Sequence, residues 1–255
     1  MGLVRATVKQ SPADGHRSNR SLIDTGQLYE QVRQRFMSTV GQLTPTELQK
    51  RVLATPAWSV HDVLAHVVAL ATDLNAQHFP DIDDIGGSLW AGRQIAEWRN
   101  VQATNILAAW DREAPVFEEG LRLFGYETGS HFVADLHAHH QDVRGTLGLA
   151  RDDEEITVLV SLDHYLGFAD AMLKAAAWGT LDVIAGSEHR RLGIEGRCRA
   201  HVIGSAFEIL RVFSGRRSKA QIRALPWTGD VEPLLVQLCS RFGSGYAIPP
   251  KALNE

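Results

Sequence analysis

Apolar residues recur in the first part of the chain at the spacing of an α-helix. Between residues 25 and 42, every fourth position is apolar: Leu28, Val32, Phe36 and Val40. Residues four apart lie on one face of a helix, so the pattern predicts a first helix with one buried side. A short helical piece is predicted next, over Glu47–Leu53.

The second long helix carries a start signal as well as a stripe. Ser59 and Asp62 form an S-x-x-D pair directly before an apolar run. A serine there can accept from the backbone three residues on, while the acid returns the bond. We therefore expect a helix that begins at Ser59 and ends before Pro80.

Three more helices are predicted further along the chain. The first covers about 93–124, and Pro115 should kink or break it because proline removes a helical hydrogen bond. The second covers Ser130–Leu147 and stops at a glycine. The third covers Asp153–Trp178 and begins among four acidic residues, which the helix dipole favours.

The pattern changes after Gly179. Short alternating segments replace the long helical stripes, which indicates strands mixed with short helices. The predicted elements are strands over Thr180–His189 and Glu195–Ile203, a helix over Gly204–Ser214, a turn over Gly215–Ser218 and a helix over Glu232–Phe242.

Three regions follow from these patterns. Residues 1–22 are polar and aperiodic and are expected to be a disordered tail. Residues 23–179 should form a four-helix bundle. Residues 180–255 should form a small α/β domain, so the fold class is mainly α with a small α/β C-terminal part.

The composition indicates the class of protein and the compartment in which it works. The 255 residues are 44% hydrophobic and 22% charged, which is ordinary for a soluble globular protein. Two cysteines, Cys198 and Cys239, do not make a disulfide framework, so we expect a reducing, cytoplasmic compartment. No apolar run of about 18 residues is visible, so no membrane span is expected. The first twenty residues lack the apolar core of a secretory signal.

Charge is distributed unevenly along the chain. Residues 185–225 carry nine Lys/Arg against three Glu, a net +6, whereas residues 23–184 carry a net −12. The basic segment could attract an acidic small molecule or a nucleic acid, or it could be a solvated face. It lacks interleaved aromatic residues and any nucleic-acid motif, which disfavours nucleic acid.

Two predicted helices carry residues suited to binding a metal ion. His66 lies on the second helix, and Asp135 and His139 lie four apart on the helix over 130–147. At about 100° per residue, all three fall to one side of the apolar stripes of their helices. They could then face a common cleft. Two imidazoles and a carboxylate with a vacant position suit catalytic zinc, and nickel or iron would also fit.

The alternatives remain open at this point. Eleven histidines make pairs with helical spacing common by chance, and a lone His66 could simply be solvent-exposed. His140 lies near the centre of its apolar stripe, as a core histidine would, and either His137 or His140 could support a metal ligand from behind. Cys198 lies on a predicted strand among apolar neighbours, which favours a buried structural thiol. No nucleophilic-serine elbow, phosphate-binding loop or dinucleotide fingerprint is present.

At these residues the chain resembles a known family. Residues 56–66 are similar to the P-x-W-[ST]-V-x-D-[VL]-x-A-H signature of mycothiol-dependent maleylpyruvate isomerase-like proteins, in the DinB-like metal-binding bundle superfamily. Residues 135–148 resemble that family's E-x-x-x-H-x-x-D-[IL]-R-x-A-L-G. Residues 207–218 and 225–230 resemble its L-x-R-x-x-x-G-R-R-S and L-x-W-x-G-D segments. The resemblance covers about residues 25–245.

The resemblance implies a fold, a metal centre and a cofactor. The fold would be a DinB-like four-helix bundle followed by a small α/β domain. The metal ligands would be His66, Asp135 and His139, with zinc expected first and nickel or iron as alternatives. The cofactor would be mycothiol, which places the protein in an actinobacterial cytoplasm. One departure is that the family's isomerase has Glu where this chain has the shorter Asp135.

The implied chemistry needs a thiolate at neutral pH. A thiol of pKa about 8.5 is mostly protonated at pH 7, and a divalent cation deprotonates it. The thiolate would add to an activated double bond, and rotation and elimination would complete an isomerisation. Alternatively, it would attack another small electrophile in an S-transfer. Arg217, with Arg216 second, is the candidate for holding a substrate carboxylate, unless it serves a helix cap or the surface.

The sequence therefore favours an enzyme, an isomerase or transferase acting on a small-molecule thiol and an electrophilic substrate. It would work as a monomer or homodimer without membrane or nucleic-acid partners. A non-catalytic metal-binding or regulatory protein of the same family is the alternative, motivated by Asp135. A bundle without any metal is the third hypothesis.

Overall fold

The computed structural model describes residues 20–81, 83–84, 88–241 and 252–253. Long helices come first and a small sheet with short helices comes last, so the predicted fold class is confirmed. The helices are α1 (Thr25–Val40), α2 (Pro45–Leu48), α3 (Val60–Asn75), α4 (Ser88–Trp98), α5 (Ala103–Leu147), α6 (Glu155–Ala175), α7 (Ala206–Phe213), α8 (Lys219–Ala224) and α9 (Val231–Arg241). The strands are β1 (Thr180–Ala185), β2 (Glu188–Gly193), β3 (Cys198–Gly204) and β4 (Trp227–Gly229).

The predicted start of α3 is confirmed in detail. Ser59 accepts a hydrogen bond from the backbone N–H of Asp62, and the Asp62 carboxylate accepts one from the N–H of Ser59. This reciprocal pair satisfies two N–H groups that a helix start leaves without partners. It fixes where α3 begins and therefore where His66 falls along it.

The predicted helical region over 93–124 is wrong in its boundaries. The region is divided between α4 and the 45-residue α5. The break inside α5 lies at Gly125, whose φ of 77° and ψ of −174° are not helical, and not at Pro115. A positive φ costs glycine little, so the chain changes direction there. The half of α5 after Gly125 carries Asp135 and His139.

The C-terminal sheet has the order β2-β1-β3-β4. The β1–β2 and β3–β4 pairs are antiparallel, and β1 runs parallel to β3. The single strand predicted over Thr180–His189 is instead the start of a hairpin, because the chain turns at Gly186 (φ 64°). Neither α8 nor β4 was predicted, since a six-residue helix and a three-residue strand are too short to show a period.

Two apolar clusters make up the core of the described chain. One fills the helical part around Phe36, Leu64 and Trp110. The other joins α6 to the sheet and α7, with Leu166, Val183 and Phe213 fully buried among its members. The second cluster explains why the C-terminal segment packs onto the helices and is not separated from them by a linker.

Helix α6 is the one described helix that is long and apolar enough to cross a membrane on length and composition alone. Just over half of its most apolar window is buried inside the fold. It packs against α5, β2 and α7, and burial on several sides accounts for its apolar character.

Residues 20–22, which the sequence assigns to a disordered tail, belong to the described structure. Residues 1–19 lie outside the described part of the chain. Arg20 is buried, and its guanidinium donates to the carboxylates of Asp163 on α6 and Glu188 on β2 at 2.8 Å each. The hydroxyl of Tyr126 donates to the same Asp163 at 2.7 Å. Arg20 therefore ties the start of the described chain to both the bundle and the sheet.

Candidate metal centre

Three side chains from two helices converge at one point. The donor atoms of His66 on α3 and of Asp135 and His139 on α5 all lie within 4.8 Å of one another. Both histidines are buried, at 6% and 1% exposure, and Asp135 is half-buried. Among the described residues, no other group of three His, Cys, Asp or Glu side chains brings its donor atoms close enough together to hold one metal ion. The sequence prediction that these residues meet is therefore confirmed, and ligation itself is taken up below as a proposal.

The ring of His66 is oriented by a chain of polar contacts. The Oε1 atom of Gln94 lies 3.0 Å from Nδ1 of His66, and the Nε2 atom of Gln94 donates to Asp73 at 2.8 Å. Because the carboxylate of Asp73 accepts from the amide nitrogen, the amide oxygen must face His66. An amide oxygen only accepts, so Nδ1 of His66 carries the proton. The lone pair of His66 is thus on Nε2.

The ring of His139 lies between two carboxylates on its own helix. Its Nε2 is 3.7 Å from Oδ1 of Asp135, and its Nδ1 is 3.6 Å from Oδ2 of Asp142. These spacings of four and three residues put the acids on opposite sides of the ring. A carboxylate behind a ligating imidazole fixes its orientation and raises its basicity.

Asp142 is fully buried and joins the helices to the C-terminal part. It accepts from Arg211 on α7 at 2.8 Å and from Arg216, which follows α7, at 3.1 Å. Burial acts to raise the pKa of the Asp142 carboxyl, but Arg216 and Arg211 outweigh it and hold that pKa far below its usual range. Asp142 therefore stays ionised behind His139.

Trp58 forms an aromatic wall beside the two histidines. Its ring stacks on His139 at 27° with centroids 5.7 Å apart, and it lies 5.1 Å from His66. The imidazoles themselves meet edge to face at 5.2 Å. A large flat side chain against both rings restricts their rotation and excludes water from one side of the centre.

The electrostatics leave the donor groups ready to bind a cation. Burial lowers the pKa of His66 to about 4, so the ring is neutral at pH 7. Burial acts to raise the pKa of Asp135, but His139 and His66 beside it shift the balance, and the pKa lies below its ordinary value. A neutral imidazole and an ionised carboxylate are the forms that bind metals.

The two candidate arginines occupy different places. Arg217 pairs with Glu208 through two contacts of 2.9 Å, and it lines a separate cleft with Gln221 and Leu253. Arg216 donates to Asp142, and its positive charge acts on both His66 and Asp135. Of the two, Arg216 is the one beside the candidate centre.

The two other histidines that were candidates for supporting the centre make their contacts elsewhere. His137 contacts Ser161 and the carbonyl of Asp152, and His140 contacts Thr39 and stacks on Phe36. The prediction of His140 as a core residue is confirmed, since it is fully buried. The groups that contact the candidate ligands are instead Gln94 and Asp142.

The prediction of a buried Cys198 is wrong. Its side chain is half-buried and lines a cleft of about 810 Å³ beside Arg197 and Asp230. Burial and the nearby Asp182 raise the pKa of the Cys198 thiol, so it is protonated at neutral pH. The side chain of Cys239 lies outside the described part of the chain.

Sequence reasoning missed Trp58, Gln94 and Asp142 as parts of the site. Trp58 and Asp142 stand inside the motifs that carry the family resemblance, and Asp142 follows His139 by three residues, which is one helical turn. Those spacings could have identified them. Gln94 lies on a different helix at no regular spacing from His66, so no local pattern indicates it.

Comparison with known proteins gives the helical part a family. Residues 29–144 match the model of the mycothiol maleylpyruvate isomerase N-terminal domain. These residues are therefore similar to that domain family. All three side chains of the candidate centre lie inside the matched segment, and the resemblance drawn from the sequence motifs is confirmed.

Solved structures extend the likeness beyond this domain. The chain is similar to the crystal structure of the mycothiol-dependent maleylpyruvate isomerase, with a TM-score of 0.57 at 15% identity over 86% of this chain and 95% of that chain. It is also similar to a histidine-to-alanine mutant of that isomerase, with a TM-score of 0.56 at 14% identity and the same coverage. These likenesses establish the fold. The comparison with curated proteins finds no match.

Proposed function

We propose that the protein is a metal-dependent and mycothiol-dependent isomerase or S-transferase that acts on a small electrophile bearing a carboxylate. The observation that carries this proposal is the convergence of His66, Asp135 and His139 within 4.8 Å, inside a domain of the mycothiol maleylpyruvate isomerase family. We propose a cytoplasmic location because the chemistry needs a reduced low-molecular-weight thiol.

The donor set fits a divalent cation. His66 offers Nε2 because its other nitrogen faces Gln94, and His139 offers Nε2 because its other nitrogen faces Asp142. Asp135 supplies one negative charge. Catalytic zinc sites have three protein ligands and leave a fourth position for another ligand, here a thiol. We therefore propose zinc first, with nickel or iron as alternatives. When bound, the cation would lower the pKa of a coordinated thiol and make thiolate available at neutral pH.

The residues of this chain prepare the centre in three ways. Gln94 holds His66 in one tautomer and orientation through a hydrogen bond, and the carboxylate of Asp142, 3.6 Å from Nδ1 of His139, favours a proton on that nitrogen. Trp58 covers one side of both rings. The half-exposed Asp135 marks the side by which ligands from solvent can enter.

Arg216 replaces Arg217 as the first candidate for interaction with a substrate carboxylate. The fork of Arg217 is occupied by Glu208, whereas Arg216 lies at Asp142 and places positive charge beside the centre. In this proposal Arg216 attracts an acidic substrate electrostatically, while Asp142 fixes its position.

The proposal is tested by metal content and by thiol-dependent turnover. We expect about one divalent metal per chain in the purified protein, lost in His66→Ala and His139→Ala and retained in His78→Ala, an exposed histidine. With mycothiol and either maleylpyruvate or a panel of small electrophiles, we expect turnover that disappears in the two metal-free variants.

Two negative outcomes distinguish the alternatives. Metal binding without turnover for any electrophile would favour a non-catalytic metal-binding protein of the same family, the hypothesis that the shorter Asp135 motivates. Absence of metal from native protein and from protein refolded with Zn²⁺ would contradict both hypotheses and favour a bundle without a metal.

A further inference from the structure

A second pair of histidines lies outside the candidate centre and has no role in the proposed function. His131 is on α5 and His164 is on α6, and these two helices pack against each other. Nδ1 of His131 lies 3.2 Å from Nε2 of His164, with ring centroids 4.8 Å apart at an interplanar angle of 63°. His131 is exposed and His164 is half-buried. The facing nitrogens are therefore within reach of solvent ions.

From this geometry we infer a second, weaker metal site formed by His131 and His164. Two imidazole nitrogens bound to one Zn²⁺ at ~2.0–2.1 Å, with angles between about 90° and 110°, lie roughly 2.9–3.4 Å apart. The observed 3.2 Å falls inside that range. The pair is thus already at the separation that a shared ion requires, so binding needs little movement of either helix.

The proton between the rings does not block the site. A neutral imidazole carries one proton, and a hydrogen bond between the two rings needs that proton on only one of the facing nitrogens. On binding, the proton moves to the far nitrogen of the same ring, so both facing nitrogens present lone pairs and no net proton is released. The exchange replaces one surface hydrogen bond with two bonds to the ion.

The affinity of this pair should be lower than that of the three-residue centre. Within the described chain, only His66, Asp135 and His139 bring three donor groups within 4.8 Å of one another. The histidine pair therefore supplies two ligands, and water completes the coordination. It also lacks a carboxylate ligand, whose charge would offset that of the cation.

The ligand class is a divalent late transition-metal ion. Imidazole suits Zn²⁺, Ni²⁺ and Cu²⁺, whereas Mg²⁺ and Ca²⁺ prefer oxygen. Because His131 lies one helical turn before Asp135, an ion bound there would place positive charge close to the first centre. Its presence would also raise the metal content of the protein above one per chain at high zinc.

The experiment is a calorimetric titration of the full chain with Zn²⁺ alone. We expect two classes of site in the wild type, a tight one that His66→Ala removes and a weaker one. The weaker class should lose affinity by about tenfold or more in His131→Ala and in His164→Ala, because each variant leaves a single imidazole. His78→Ala, which removes an exposed histidine elsewhere, should keep both classes.

The outcomes separate this inference from the proposed function. Absence of the tight class from the wild-type titration, with the weaker class present, would contradict the first centre and leave the second intact. Absence of a weaker class in the wild type, or its survival in both His131→Ala and His164→Ala, would overturn the second site. His131→Gln repeats the test with a side chain of similar size, and thermal unfolding verifies that each variant is folded.

Discussion

The amide oxygen of Gln94 lies 3.0 Å from Nδ1 of His66, and the amide nitrogen of the same residue donates to Asp73. Gln94 is almost fully buried, at 1% exposure, so its contact with His66 is shielded from water. A glutamine on α4 therefore decides which nitrogen of a histidine on α3 faces the candidate centre.

Replacing Gln94 tests that relationship. In Gln94→Leu the side chain keeps its bulk but no longer accepts from His66, so the ring is free to turn and to change tautomer. We expect metal affinity to fall roughly 10–100-fold, the usual range for loss of a group that supports a ligand. Competition with a chromogenic chelator measures the change. Gln34→Leu, on the exposed face of α1, should have no effect, and equal affinity in the two variants would contradict the assigned role.

Asp135→Glu and Asp135→Ala test the ligand that departs from the family pattern. Glutamate is one methylene longer and reaches further toward the two imidazoles, so Asp135→Glu should bind metal at least as tightly as the wild type. Asp135→Ala should lose more affinity than any supporting residue, beyond roughly 100-fold. Metal content after dialysis against a chelator series ranks the three proteins. If the alanine variant keeps its metal as tightly as the wild type, Asp135 is not a ligand.

Asp142→Asn should destabilise the whole fold. The substitution removes the negative charge between Arg211 and Arg216 and places a neutral amide against two buried cations. Breaking a buried ion pair on one side costs about 3–5 kcal/mol, and urea unfolding measures the loss. Asp111→Asn is the matched control, because Asp111 is mostly exposed where it pairs with Arg33 and should cost about 0–1 kcal/mol. A similar cost for both variants would contradict the buried role of Asp142.

Stability of the metal-free protein should depend on pH in a window set by buried histidines. Burial lowers the pKa of His66 and of His137 to about 4, from an ordinary value of 6.5. Between these values the unfolded chain binds more protons than the folded one, so the free energy of unfolding falls as pH drops from 6.5 toward 4. Each histidine contributes a slope of up to about 1.4 kcal/mol per pH unit.

Urea unfolding with chelator present, at intervals from pH 7 to pH 4.5, measures that slope. The carboxylates with lowered pKa, such as Asp142 and Asp163, lose their stabilising contribution only below their ordinary pKa near 3.8, so they leave this window clear. His137→Gln should reduce the slope, whereas His78→Ala should not. A flat profile above pH 4.5 would show that the buried rings are not held neutral.

The parts of this fold that were predictable from sequence are those with a local cause. The start of α3 followed from Ser59 and Asp62, which are three residues apart, and the meeting of Asp135 with His139 followed from helical spacing. The kink at Gly125 did not follow, since Pro115 carries the stronger local signal and yet keeps helical backbone angles. The short α8 and β4 also gave no pattern.

The parts that resisted prediction depend on contacts between distant segments. Arg20 was grouped with a polar tail, but it lies between Asp163 and Glu188, more than 140 residues away. Gln94 supports His66 from another helix, and Glu208 holds Arg217 away from the centre. In each case the partner is set by tertiary packing, which no spacing along the chain reveals.

The ion pairs of the buried Asp142 connect the helical part of the chain to the C-terminal part. The charge of Asp142 sits in the helical part, while both arginines that neutralise it come from beyond Gly179. A fragment truncated after the last long helix would expose one face of α6 and remove both arginines that hold the carboxylate of Asp142. We therefore expect the two parts of the chain to unfold together, and the helical part alone to lose the support that Asp142 gives to His139.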